Sequence, residues 1–200
     1  MEQIMKNMNV SELKKRLKSK TQKELIDDIA TLFKSFDIVK EYYQVQLFGN
    51  DESVLQKYKA IIENEFFPIS ERKDPPARLS VAKKAITEYK KLTSSGVNIA
   101  DIMVFYVETG VRFTIEYGDI DEAFYISMES MYERALNFIV KNGLATIFNN
   151  RLLAIVGDTE GMGCGFHDGL ADLFYSYIDW LTLKHNKANE AGPGLARGVR

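Results

Sequence analysis

The stretch "IADIMVFYVETGVRFTIEYG", residues 99–118, constrains this chain more than any other part of it. Stepped at 100° per residue, its apolar side chains point in nearly every direction, so a helix here has no broad face to give to water. It has to be the central helix of whatever forms, enclosed by other elements. The rest of the chain repeats its apolar residues at helical intervals, and no convincing alternating strand appears. The expected fold is all-α.

The surrounding helices announce themselves by their stripes and their ends. "SELKKRLK" opens with Ser11, a good N-cap for a short helix. Thr21 and Glu24 stand in capping-box spacing ahead of Leu25, Ile29, Leu32, Phe33 and Phe36. Asp37 caps a continuation through Ile38, Val39, Tyr42 and Val45, which Gly49 stops. Asn50 or Asp51 starts a helix carrying Val54, Leu55, Tyr58, Ile61, Ile62 and Phe66, closed by Pro68. Asp74 followed by Pro75 predicts the next start, with proline in the first turn. That helix buries Leu79, Ala82, Ala85, Ile86, Tyr89 and Leu92 and keeps Lys83, Lys84, Lys90 and Lys91 outside. Phe124, Met128, Met131, Ala135 and Ile139 form the stripe of a helix ended by Gly143. A shorter helix over about 144–157 and a last one over about 165–185 complete the set.

Helix pairs start near residues 50, 98 and 144, which predicts antiparallel helical hairpins. A short HEAT-like array and an irregular helical bundle both fit that spacing. The expected organisation is 1–49 for the N-terminal helices, 50–185 for the hairpin core, and 186–200 as a disordered tail without apolar period.

Composition narrows the class. With 46% hydrophobic and 27% charged residues the chain reads as an ordinary globular protein. Its longest uncharged apolar run, "IMVFYV", is far short of the roughly 20 residues a bilayer span needs. A single cysteine and an N-terminus without an apolar leader fit a cytoplasmic protein. The net charge of −2 hides a split: residues 1–98 carry 18 Lys/Arg against 14 Asp/Glu, and residues 99–200 carry 8 against 14.

"DTEGMGCGFHDG", residues 158–169, concentrates four glycines with Cys164 and His167. It lacks the lysine of a phosphate loop, and its glycines alternate where a dinucleotide loop needs another spacing. Cys164 with His167 as its base offers a nucleophilic pair, but no third residue is obliged to orient the histidine, and no second Cys/His pair exists to complete a metal site. The stretch reads as a tight turn and helix start. On the helix that follows, Phe166, Leu170, Leu173, Phe174, Tyr177, Ile178 and Leu181 share one face, Asp168, Asp172 and Asp179 lie opposite, and His167 falls on the border.

Two other constellations stand out. Glu108, Arg112 and Glu116 lie on one stripe of the central helix, where Arg112 can pair with either glutamate. Tyr117, Asp119 and Asp121 extend the cluster. Lys14, Lys15, Arg16 and Lys18 make a basic segment within 11–23. Its helix–linker–helix order is reminiscent of SAP-type nucleic-acid modules, but the linker is short and no aromatic platform for stacking bases accompanies it.

The blocks "YVETGVRFTIEYGDIDEAFYISMESMYERAL", "DTEGMGCGFHDGLADLFYSY" and "ELKKRLKSKTQKELIDDIATLFK" resemble a bacterial family of small all-helical cytoplasmic proteins of unknown function. The resemblance covers roughly residues 10–180, supports the fold and brings no activity. It implies an aromatic at the position of Cys164 in many relatives, which argues against a cysteine nucleophile. It draws attention to Glu108, Arg112, Tyr117, Asp119, His167 and Asp168.

With no complete catalytic motif, the expected function is a non-enzymatic binding or scaffold protein. Its acidic C-terminal half, including Asp168 and Asp172, would meet a partner protein with a basic surface. A second reading is an enzyme or ligand-binding domain with Glu108, Arg112, Asp119 and His167 in an interhelical pocket. A third is nucleic-acid contact through Lys14, Lys15, Arg16 and Lys18. No cofactor, metal or membrane is expected, and the oligomeric state is open.

Overall fold

The computed structural model describes residues 9–69, 77–163 and 165–190, with side chains as far as residue 181. Among the described residues there are nine α-helices and no strand, so the protein is all-α. The chain divides into two compact units, Met1–Gly49 and Asn50–Arg200.

The first unit holds α1 (Val10–Leu17), α2 (Gln22–Ser35) and α3 (Asp37–Phe48). Asn9, not Ser11, caps α1: its extended backbone lets the side chain accept from the Glu12 N–H at 2.9 Å. The capping box of α2 is complete. The Thr21 N–H donates to Glu24 Oε2 at 2.7 Å, and the Glu24 N–H donates back to Thr21 Oγ1 at 3.3 Å. Phe36 is extended and serves both as the end of α2 and the start of α3, so Asp37 lies inside α3 and does not cap it. The apolar stripe of α2 forms as expected, yet no residue of α2 is buried. Phe33 meets Tyr43 of α3 at 6.4 Å, while Ile29, Leu32 and Phe36 remain exposed. Three helices of this length have too little volume to enclose their own apolar surface.

The second unit is built from α4 (Asp51–Phe66), α5 (Leu79–Tyr89), α6 (Gly96–Tyr117), α7 (Glu122–Lys141), α8 (Ala145–Asp158) and α9 (Phe166–Glu190). α6 is the central helix, packed by α4, α5, α7 and α8, and eleven of its residues are buried. Phe66 of α4 inserts among Tyr106 and Phe113 of α6 and Phe124 of α7, with ring centroids 5.7–6.2 Å apart. Every residue of the α7 stripe, Phe124, Met128, Met131, Ala135 and Ile139, is buried. α9 packs on α7 and α8.

Buried polar groups fix how the helices register. Asp51 at the start of α4 accepts from Tyr89 Oη at 2.5 Å and from Thr93 Oγ1 at 2.6 Å, tying α4 to the end of α5. Burial, with the Asp51 bond adding to it, pushes the Tyr89 hydroxyl far above its usual range. Tyr132 of α7 donates to the Leu152 carbonyl of α8 at 2.9 Å, and Tyr177 of α9 donates to Asn149 of α8 at 2.7 Å. An unpaired phenol in such positions would cost about 1–3 kcal/mol.

Two helix ends differ from the sequence expectation. α5 opens at Leu79, with Arg78 at its N-cap, so Pro75 is not in its first turn. The Arg78 guanidinium anchors this start by gripping Glu65 of α4 at 2.7 and 3.0 Å. Asp74 and Pro75 themselves lie outside the described residues. α9 runs on to Glu190, through the first part of the segment expected to be a disordered tail, and residues 191–200 lie outside the described residues.

Gly110 marks the tightest approach of α6 to α7: a Cβ there would sit 2.1 Å from Met128 Sδ. Gly157, on the exposed side of α8, has nothing within 4 Å. Gly110→Ala should therefore destabilise the fold by about 1–3 kcal/mol through overpacking. Gly157→Ala should stabilise it by about 0.5–1 kcal/mol through helix propensity. Urea unfolding of the two variants checks the opposite signs.

Candidate functional site

Among the described residues, the charged residues of α6 form no ion pair along their own helix. Arg112 reaches to Glu63 of α4, and its guanidinium lies 4.8 Å from the Phe67 ring centroid. The expected bond from Arg112 to Glu108 or Glu116 gives way because neighbouring helices supply better-placed partners for Arg112 and for Glu108. Arg151 of α8 holds Glu108 with two 2.7 Å bonds and Asp101 with a third at 2.6 Å. Lys59 of α4 donates to the other Asp101 oxygen at 2.6 Å. The carboxylates, Glu108 first, hold the Arg151 proton even more tightly than usual. Glu108 and Asp101 thus clamp α4, α6 and α8 together, and two cations face two carboxylates.

At the C-terminus of α6, Tyr117 packs its ring on Phe113 at 4.7 Å. Asp119 accepts from Tyr125 Oη at 3.1 Å, and that same oxygen accepts from the Ile120 N–H. The glycine-rich turn meets this loop: a Cβ on Gly163 would lie 3.2 Å from Asp119 Oδ2. Tyr125 also stacks on Phe166 at 4.5 Å.

His167 sits in the first turn of α9. Its Nδ1 lies 3.1 Å from the Val156 carbonyl and 3.2 Å from Thr159 Oγ1. A carbonyl can only accept, so Nδ1 carries the proton and donates to the last turn of α8. The histidine thereby caps α8 and joins it to α9. Cys164 lies outside the described residues. Glu108, Arg112, Asp119 and His167 are each engaged with a different partner, and none of them lines the grooves described below.

Asp168 is exposed in the first turn of α9, where the helix dipole favours a carboxylate. Asp172, one turn on, lines a groove between α7 and α9 together with Glu129, Ser130, Glu133 and Gly169, in a volume of about 480 Å³. A second recess of about 380 Å³ adjoins it, sharing Glu133, Leu173 and Ser176 and ending at Val140 and Trp180. One stripe of each helix builds the whole groove: 126, 129, 133, 137 and 140 on α7 face 169, 172, 173, 176 and 180 on α9. Gly169 allows the approach, since a Cβ there would fall 2.9 Å from Glu129 Oε1.

Among the described residues, no lysine or arginine lines this groove. Partial burial alone holds the Glu129 carboxyl above the ordinary glutamate range. Glu129, Glu133 and Trp180 were not singled out in the sequence. The pattern that points to them is Glu129 and Glu133 at i,i+4 with no basic residue within reach on their own face of the helix.

In the first unit, Lys14, Lys15 and Lys18 are exposed, Arg16 pairs with Glu12 at 3.0 Å, and Lys20 pairs with Asp28. Among the described residues no group of three or more His, Cys, Asp or Glu side chains is placed to hold a metal ion. No helix among them is long and apolar enough to cross a membrane.

Residues 8–162 match a family of unknown function, DUF6155. The chain belongs to that family. The match contains Glu108, Arg112, Tyr117 and Asp119, and stops in the turn before α9, so His167, Asp168 and Asp172 lie beyond it. No curated protein and no solved structure matches the chain.

Arg151→Ala should cost about 1–3 kcal/mol, since it removes three charge-assisted bonds, strands the Glu108 carboxylate and leaves Asp101 with Lys59 alone. Arg16→Ala, at an exposed pair, should cost well under about 1 kcal/mol. Glu129→Gln should raise the melting temperature at pH 7, because a raised carboxyl pKa means the ionised form opposes folding. The gain should shrink as pH falls through that raised value and vanish below about pH 4, where the unfolded chain is protonated too. Thermal melts across pH read both.

Proposed function

We propose that the protein is a binding protein whose α7–α9 groove takes a basic amphipathic helix from a partner protein. The observation that carries this reading is the lining of the groove. Three carboxylates, Glu129, Glu133 and Asp172, stand over apolar walls of Ile126, Leu136, Val140 and Leu173, with no basic residue among them. Opposite charge steers and orients a partner, while apolar area provides the holding energy. From Gly169 to Trp180 the groove follows twelve residues of α9, about 16 Å, or three turns of a helix laid alongside. Asp168 extends the acidic strip by one further turn. Lysine and arginine side chains suit this position because their stems cover apolar surface while their heads reach the carboxylates.

Trp180 is the only tryptophan of the chain and lines the groove, so its fluorescence reports occupancy directly. A synthetic leucine–lysine amphipathic helix should shift Trp180 emission to the blue and bind less tightly as salt rises. Glu129→Gln combined with Glu133→Gln, and separately Asp168→Lys combined with Asp172→Lys, should each weaken binding about tenfold or more. A scrambled peptide of equal charge should bind poorly. Emission unchanged by the peptide, or affinity unchanged by either double variant, would remove this groove as the docking surface.

A further inference from the structure

The other flank of α7 carries the opposite charge. Between α5 and α7 lies a cavity of about 270 Å³ lined by Lys83 of α5, Lys90 and Lys91 of the turn that ends it, and Arg134 of α7, with Ile86 and Met131 as its floor. No carboxylate lines it, and none of the four cations makes an ion pair among the described residues. Lys84, their neighbour on α5, does have a carboxylate, Glu88 at 3.6 Å, and points elsewhere.

Two of these cations, Lys83 and Lys90, are held in place. Lys83 Nζ donates to Ser127 Oγ of α7 at 3.1 Å, and Ser127 is buried and bonded to Tyr106 Oη of α6 at 2.9 Å. The Lys90 ammonium lies 5.6 Å from the Phe138 ring centroid of α7. One lysine of α5 and the lysine at its C-cap are thus drawn across to α7 on either side of Arg134. Burial, reinforced by the nearby Arg134 charge, makes the Lys90 ammonium easier to deprotonate than usual. Like charges gathered over an apolar floor are a standing electrostatic cost, which an anion in the cavity would cancel.

We infer that the α5–α7 cavity is a binding site for a compact phosphorylated ligand, with its phosphoryl oxygens on Lys83, Lys90 and Arg134. A phosphoryl group offers two charges and three acceptor oxygens to several donors at once, which a single carboxylate does not. The volume equals that of about nine water molecules, enough for one or two phosphoryl groups on a small organic body. Ile86 and Met131 receive that body. This site is separate from the α7–α9 groove and does not depend on the reading given for it.

Inorganic diphosphate, titrated into the full chain by calorimetry, is the first probe, with acetate as the comparator. Diphosphate should bind with one-to-one stoichiometry and acetate at least about tenfold more weakly. Lys90→Met and Arg134→Met should each lower diphosphate affinity about tenfold, and Lys84→Met should leave it unchanged. Amine acylation followed by mass spectrometry gives a second readout: diphosphate should shield Lys83 and Lys90 and spare Lys84 no reaction. Equal weakening by Lys84→Met, or equal shielding of all three lysines, would reduce the site to diffuse attraction and overturn the proposal. Binding of RNA or of anionic vesicles without binding of diphosphate would overturn it too.

Discussion

Everything in the second unit follows from the burial of α6. A 22-residue helix whose apolar side chains point all round can be stable only if other helices cover it, and α4, α5, α7 and α8 do so. Its few polar side chains then have to find partners on whichever helix lies across from them. Asp101 and Glu108 meet Arg151 and Lys59, Arg112 meets Glu63, and Tyr106 meets Ser127. The charged stripe of α6 is thereby consumed in joining helices.

That arrangement leaves the two grooves of opposite charge to the outer helices. α7 turns its apolar stripe inward and has two flanks, each facing a different neighbour. Toward α9 it offers Glu129 and Glu133, and toward α5 it offers Arg134. The neighbours amplify each sign, Asp172 on one side and three lysines on the other. A nearly neutral chain therefore carries two concentrated and opposite fields about one helix. Among the described residues the excess charge on each side has no ion-pair partner, unlike the compensated clamp at Arg151.

Much of the fold was legible because it rests on short-range rules. The Thr21–Glu24 capping box, the stop at Gly49 and the α7 stripe depend on residues three to seven apart. Where the reading failed, a better partner was a few residues away or in another helix. Asn9 outcompeted Ser11 as a cap because its backbone, not that of Ser11, stands outside the helix. The start of α5 moved to Leu79, where Arg78 meets Glu65. The α2 stripe was legible as a stripe, but periodicity says only which residues share a face and not whether anything covers it.

The sequence by itself determined the helices, their order, the central place of α6 and the division of charge along the chain. Those properties arise from backbone hydrogen bonding and apolar periodicity, which act between near neighbours. Tertiary structure alone decided the partners: Arg151 lies 43 residues from Glu108 and 50 from Asp101. It also decided that Glu129 faces Asp172 while Arg134 faces Lys90. Helix packing sets which stripes oppose one another, and electrostatic compensation depends on distance in space, to which separation along the chain is no guide.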